Sequence, residues 1–332
     1  MTKEKSRGNI LSKFGTVIAL ILLCVILAIL TPNFLKVSNL MNVLKQTAVN
    51  AIIATGMLVC LITGGIDLSV GANAVTVTCL IGLLHTRGVS NVFVLVAAAL
   101  ACGTFIGYIN GSLLTKLRLP HPFVSTLGMK NILAGVALLL VNSKMVSGFG
   151  PGISWLGSAS LFTSGSFPGV PASFLLVIIV FVLMQIFLTK TPLGRSIYSV
   201  GGNREAARLS GINSDNVLTF AYTLSGFMCA IAGIILIGRG GIANGANAIQ
   251  PYDTDAIAAC IIGGASFAGG KGDMKGTMIG SLIIAVLRNG LTLLAASGAI
   301  QNVVIGSVII LAVYIDVVRE RLEAERLRLA SK

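Results

Sequence analysis

Eight long apolar runs dominate this chain: Phe14 to Leu30, Thr47 to Ile62, Val92 to Leu114, Phe123 to Val141, Pro171 to Leu188, Val217 to Gly238, Thr277 to Ala296 and Ile300 to Val317. A helix needs roughly 20 apolar residues to cross the hydrocarbon core of a bilayer. Two further segments, Gly71 to Leu84 and Asp255 to Gly264, are shorter and interrupted by glycine, and read as tilted or broken spans. The expected fold is all-α: a polytopic transmembrane helical bundle of roughly ten spans, forming one membrane domain over the whole chain.

Composition agrees. Charged residues make up 11% of the 332 positions, against about 25% in an average soluble domain. The first apolar run follows Lys3, Lys5, Arg7 and Lys13, as in a secretion signal. It is longer than a signal's apolar region, and Thr31-Pro32-Asn33-Phe34 offers no small-residue cleavage site, so it reads as a retained first helix.

Basic residues assign the sides. The N-terminal lysines and the tail residues Arg319, Arg321, Arg326, Arg328 and Lys332 put both termini in the cytoplasm, which requires an even number of spans. Lys116 and Arg118 mark one inner loop; Lys190, Arg195, Arg204 and Arg208 mark another, the longest polar stretch between spans. Asn142 to Val170 carries only Lys144 and reads as an outer segment, with Trp155 and Phe162 at the interface. Lys36 and Lys45 then fall outside, a mild exception. The tail, residues 318–332, reads as a solvated cytoplasmic helix with Arg319–Glu323 and Arg321–Glu325 pairs. The net charge of +13 thus serves topology; charges at helix ends do not build a nucleic-acid face.

The six cysteines all lie in apolar runs without a CxxC pair and read as small hydrophobes. No HExxH, GxSxG or phosphate-binding loop occurs, so no catalytic, cofactor or metal site is expected, and any ATP hydrolysis belongs to another chain.

Several constellations carry chemistry. GGIDLSVGA, Gly64 to Ala72, sets Asp67 between two apolar runs among glycines. A carboxylate at membrane depth is costly unless paired or wet, and loosened backbone is tolerated only against protein or a water-filled cavity. With Ser69 and Asn73 it offers donors and acceptors of the kind a polyol uses. Asp67 as a mere cap of the following helix is the other reading, and both stay open. Residues 189–216 read as a structured inner loop: Pro192 and Gly194 end a span, Arg195 to Val200 form a helical turn, Gly201-Gly202 break it, Asn203 caps a short helix over Arg204 to Leu209, and Ser210-Gly211 stop it. A bare connector needs only a handful of residues, so this loop suits the docking of a soluble partner; a basic loop that only holds topology is the alternative. Asp253 and Asp255 stand at the mouth of a broken segment, where solvated ends are the favoured reading. Gly103, Gly107 and Gly111, and again Gly276 and Gly280, recur at four-residue spacing and read as packing seams. Lys130, Arg239 and Arg288 lie in or near apolar runs and either snorkel or line a polar path. His121 reads as interfacial.

An internal echo links Gly64 to Gly71 with Gly263 to Gly270; each follows one apolar run and precedes another, as in transporters with repeated broken helices.

These strings together resemble the permease subunits of ribose/galactose-type ABC sugar importers. The matching stretches are Thr31 to Met57, GGIDLSVGA, PFVSTLGM from Pro122, GRSIYSVGGNREAARLSGIN from Gly194, and DAIAACIIGGASFAGGKG from Asp255. They cover nearly the whole chain in order; Asn142 to Val170 is the weakest stretch. The resemblance implies a homodimer of the permease in the bacterial inner membrane, a cytoplasmic ATPase subunit with two nucleotide-binding halves, and an extracytoplasmic sugar-binding protein. It implies ATPase coupling through Arg195, Gly201, Gly202, Asn203, Glu205, Ala206 and Gly211, and a pathway past Asp67, Ser69, Asn73 and Phe123. Ribose leads among the implied monosaccharides, with galactose and xylose beside it. The rival class, an ion-coupled secondary transporter, needs a titratable relay in the membrane, for which Asp67 alone is thin support.

Overall fold

The computed structural model describes residues 2–165 and 167–330. The side chains of Lys3, Lys5, Arg7 and Lys13, and of the tail residues Arg319, Glu323, Glu325, Arg326, Arg328 and Lys332, fall outside the described residues. The helices are α1 (Thr2–Leu30), α2 (Val37–Ile62), α3 (Val70–Thr86), α4 (Val92–Thr115), α5 (Pro122–Leu140), α6 (Pro151–Ser158), α7 (Ala172–Lys190), α8 (Pro192–Gly202), α9 (Arg204–Leu209), α10 (Ser214–Gly240), α11 (Tyr252–Ile262), α12 (Met274–Leu293) and α13 (Gly298–Ala330). Among the described residues, seven helices are long and apolar enough to span: α2, α4, α5, α7, α10, α12 and Gly298–Val318 of α13; Gly15–Leu30 and α3 are shorter apolar helices. The chain is a helical membrane protein.

Hydropathy does not sort these helices into core and periphery. The spanning window of α2 is 89% buried at a mean hydropathy of 1.5, whereas that of α4 is 28% buried at 2.3. Lipid tails are as apolar as leucine, so helices associate through small residues and polar groups instead. Accordingly α2 is buried without interruption from Thr47 to Ile62, a stretch rich in alanine that includes Gly56. Long side chains such as Phe93, Leu139, Ile179 and Val303 stay exposed on the outer helices.

The second central helix, α10, packs on α2, α3, α4 and α6. Its contact with α4 is the expected glycine seam. A methyl at Gly107 would overlap the carbonyl oxygen of Tyr222, and one at Gly103 would lie 2.7 Å from that of Gly226. Gly276 and Gly280 of α12 lie in the same way against Gly263 and Ala259 beside α11.

The two short segments are broken helices. The 11 residues of α11 give a length of about 16 Å, roughly half of the hydrocarbon core. A Cβ on Gly71, at the start of α3, would lie 3.0 Å from that of Tyr252, at the start of α11, so the two helices begin side by side. Irregular backbone over residues 63–69 leads into α3, and residues 241–251, with a 3-10 turn over Gly245–Ile249, lead into α11.

At the opposite end of α11, its last turn matches the last turn of α2. Gly64 (φ +78°) and Gly264 (φ +93°) are both left-handed. Gly65 N–H donates to Cys60 O at 3.0 Å and Ala265 N–H to Cys260 O at 2.9 Å. The structural register therefore pairs Gly64 with Gly264, one position on from the Gly263 that string matching selects. Gly263 keeps a right-handed conformation, and its missing side chain makes room for α12.

Between α5 and α7, the described residues form α6 and short ribbons rather than an open loop: β1 (Val146–Ser147) pairs with β4 (Ile242–Ala243), and β2 (Ser160–Leu161) with β3 (Val170–Pro171). Trp155 and Phe162 are exposed there. His121 caps α5, its Nδ1 accepting from Phe123 N–H at 3.1 Å.

Overpacking the α4–α10 seam has a predictable cost. Gly107→Val should destabilise the protein by about 1–3 kcal/mol, read as a lower melting temperature in detergent. Gly135→Val, at a position with no atom within 4 Å of where a Cβ would stand, should leave it nearly unchanged; equal effects would refute the seam.

Candidate functional site

The stretch over residues 189–216 holds two short helices, not one turn and one helix. Pro192 does not merely end α7; it is the first residue of α8, with Thr191 Oγ1 accepting from Gly194 N–H at 3.0 Å. Proline suits that position because its missing N–H is an orphan there anyway. Helix α8 continues through Gly201-Gly202, and the break falls at Asn203, whose side chain caps α9 by accepting from Ala206 N–H at 2.9 Å. Gly211 (φ +84°) closes α9. Arg195, Gly202, Asn203, Glu205, Ala206 and Gly211 are exposed, and Gly201 is half-buried. Glu205 pairs with Arg208 at 3.0 Å, and Arg204 with Asp215 at 2.7 Å. Between α9 and the α4–α5 link lies a polar groove of about 890 Å³ whose lining includes Arg118, Arg204, Glu205, Arg208 and Asp215.

Gly201 is where this surface meets the interior. A methyl there would overlap the carbonyl oxygen of Ile62, which accepts from Gly270 N–H at 2.8 Å. That hydrogen bond joins the turn after α2 to the turn after α11. Tyr198 of α8 donates to Gly272 O at 2.8 Å, and burial pushes its phenol above the usual tyrosine range, keeping it a donor.

The GGIDLSVGA segment is packed inside the protein. Asp67 is 1% exposed. Its Oδ1 accepts from Ser69 N–H at 3.0 Å and Ser69 Oγ–H at 2.6 Å, and its Oδ2 from Ser225 Oγ–H at 3.3 Å. Asn110 of α4 donates to Ser69 Oγ at 2.8 Å, and Asn73 to Gly103 O at 3.2 Å. Asp67, Ser69 and Asn73 thus tie the α2–α3 connection to α4 and α10. Phe123 stands apart from them, exposed at the start of α5.

A second polar cluster lies at the start of α11, and its aspartates are not solvated ends. Asp253 and Asp255 are each 3% exposed. Asp255 takes both Nε (2.6 Å) and Nη2 (2.7 Å) of Arg288, plus Asn50 Nδ2 at 3.1 Å. Asp253 takes Lys130 Nζ at 2.6 Å. Buried carboxylates require such partners, because an unpaired charge in this setting costs several kcal/mol. Asn50 sits twelve residues before the end of α2, about 18 Å along the helix. Lys130 and Arg288 therefore pair inside the bundle instead of snorkelling. The cluster borders a cavity of about 150 Å³ whose lining includes Gln46, Asn50, Arg239, Tyr252, Asp255 and Arg288.

Comparison with known proteins accords with a transporter. The family described as "Branched-chain amino acid transport system / permease component" matches residues 39–313. The chain is 42% identical over 310 residues to the Ribose import permease protein RbsC of Escherichia coli (strain K12), covering 91% of this chain and 92% of that one. It is 39% identical over 308 residues to the RbsC protein of Bacillus subtilis (strain 168), covering 93% and 94%. It is 35% identical over 327 residues to the Galactose/methyl galactoside import permease protein MglC of Escherichia coli (strain K12), covering 94% and 96%. No solved structure matches the chain. Near-complete coverage by the family and by these relatives establishes that the chain belongs to the transport-system permease components, and that it is a transporter subunit, not an enzyme.

Proposed function

We propose that this chain is the membrane-spanning subunit of an ATP-driven importer that brings a monosaccharide, ribose foremost, across the bacterial inner membrane. The observation that carries the sugar assignment is the match to ribose and galactose import permeases over nearly the full length of both chains, with the ribose relatives the more similar. In this reading two copies of the permease form the pathway. A binding protein delivers the sugar from outside, and a separate ATPase with two nucleotide-binding halves works from the cytoplasm. One membrane domain has ten crossings, counting α1, α3 and the broken α11 beside the seven full-length helices, and both termini are cytoplasmic.

Residues 189–216 are the coupling loop, and residues 318–332 a cytoplasmic tail. The ATPase grips α9 and its groove through Asn203, Glu205, Ala206 and Gly211, with Arg195 and Gly202 on the flank. Gly201 passes the movement inward, because it rests on the hydrogen bond that joins the ends of α2 and α11. Those two helices carry Asn50 and Asp255 at mid-depth, so a shift of the junction reaches the cluster along rigid rods. Phe123 lies at the inner mouth of the pathway, while Asp67, Ser69 and Asn73 shape the re-entrant turn beside it.

Uptake in proteoliposomes tests the reading. Ribose should accumulate only when the permease, the ATPase, ATP and the binding protein are all present. Uptake by the permease alone on an ion gradient would instead establish secondary transport, and uptake of branched-chain amino acids but no sugar would overturn the substrate class. Coupling predicts a separate outcome. Glu205→Lys should lower co-purification with the ATPase, and Gly201→Ala should cut uptake about tenfold while the ATPase still binds. Unchanged co-purification and uptake would remove these residues from the coupling surface.

A further inference from the structure

We propose that the cavity between α2, α10, α11 and α12 is a solute subsite at mid-membrane, shaped to take one small neutral polyhydroxylated molecule. The inference rests on the importer reading and adds to it a place on this chain where the solute pauses.

An ion pair that only tied helices together would be closed over by packing. This one is not. The Asp255–Arg288 pair borders a void of about 150 Å³, room for roughly five waters at their liquid volume of about 30 Å³ each. Such a space suits a single small solute and excludes an oligosaccharide. Within its lining, Asn50 is 8% exposed, and its Oδ1 has no hydrogen-bond partner even though its Nδ2 is committed to Asp255. A buried acceptor left empty is costly unless something else fills it. Arg288 spends Nε and Nη2 on Asp255, and its Nη1 holds no hydrogen bond among the described residues. The site therefore presents an acceptor at Asn50 and a donor at Arg288, with the Gln46 amide close by.

That pairing suits hydroxyl groups, each of which can donate to one partner and accept from another. It does not suit a cation, which would meet Arg239 and Arg288 together. The carboxylate of Asp255 offsets only one of those charges, and its oxygens are already engaged. Tyr252 supplies an apolar face, as small-molecule sites commonly combine a ring with a few placed polar groups. Tyr252 and Arg239 also line a neighbouring cavity of about 360 Å³ with Val75, Thr78 and Leu236. They form the partition that a solute crosses between the two spaces.

The location fits an intermediate stop. The starts of α3 and α11 meet next to the cavity, and broken helices at the midplane are where transporters of other folds hold their cargo.

The test uses the complete importer in proteoliposomes, with radiolabelled ribose and simultaneous measurement of ATP hydrolysis. Asn50→Leu should lower sugar moved per ATP hydrolysed by about tenfold. Gln46→Leu, which removes an amide that makes no hydrogen bond to the protein among the described residues, should lower the same ratio and change the preference between ribose and galactose. Because Gln46→Leu breaks no hydrogen bond among the described residues, it decides the matter if Asn50→Leu fails to fold. Equal transport per ATP by wild type and both variants would overturn the subsite, leaving a water-filled void. Faster transport of ribonate than of ribose would overturn its neutral character. A wild-type importer that moves no sugar at all would instead refute the sugar-import reading on which the subsite rests.

Discussion

The constraint behind this architecture is that backbone inside a bilayer has to find its hydrogen bonds within the protein. The chain abandons helix within its interior at residues 63–69 and again after α11, and three carbonyls at these breaks are met by donors from elsewhere in the fold. Ile66 O accepts from Tyr222 Oη at 3.1 Å and from Thr126 Oγ1 at 3.3 Å. Ile62 O takes Gly270 N–H, and Gly272 O takes the Tyr198 hydroxyl. The donors come from α5, α8, α10 and the second turn itself. These bonds thus pin α5, α8 and α10 to the connections that follow α2 and α11.

The same logic explains why the charges sit where they do. The two carboxylates of α11 are each matched by one cation from another helix. Both aspartates lie in the first turn of α11, where the unsatisfied N–H groups and the helix dipole favour negative charge. A cluster built this way is electrostatically quiet as a whole and still carries polar groups into the bilayer. Its neighbours on α2 and α10 are among the most buried surfaces of the protein.

Much of the bundle was legible in the sequence because lipid imposes a simple demand on composition and length. The long apolar runs each became a helix, and Asn203 and Gly211 bounded α9 where their local chemistry placed them. What was not legible depended on distant pairing. Asp255 and Arg288 are 33 residues apart, Lys130 and Asp253 are 123 apart, and Asn50 and Asp255 are 205 apart. Read locally, the aspartates pass for solvated ends, and the cations leave open whether they snorkel or line a polar path. One signal pointed the other way: isolated cations and isolated carboxylates in apolar surroundings have to find each other. The turn register differs by one residue from the string match, because two adjacent glycines are equal as letters and unequal as backbone. Only the backbone hydrogen bonds distinguish the one that must be left-handed.

The bareness of Gly201 has a mechanical consequence. Joints between helices are usually made by side chains, and side chains absorb small displacements by changing rotamer. Here the peptide of α8 rests directly on the peptide of Ile62, with no side chain between them. Such a joint has almost no compliance. Displacement applied on one side reaches the other nearly undiminished, so even a small movement of α8 is passed to the end of α2.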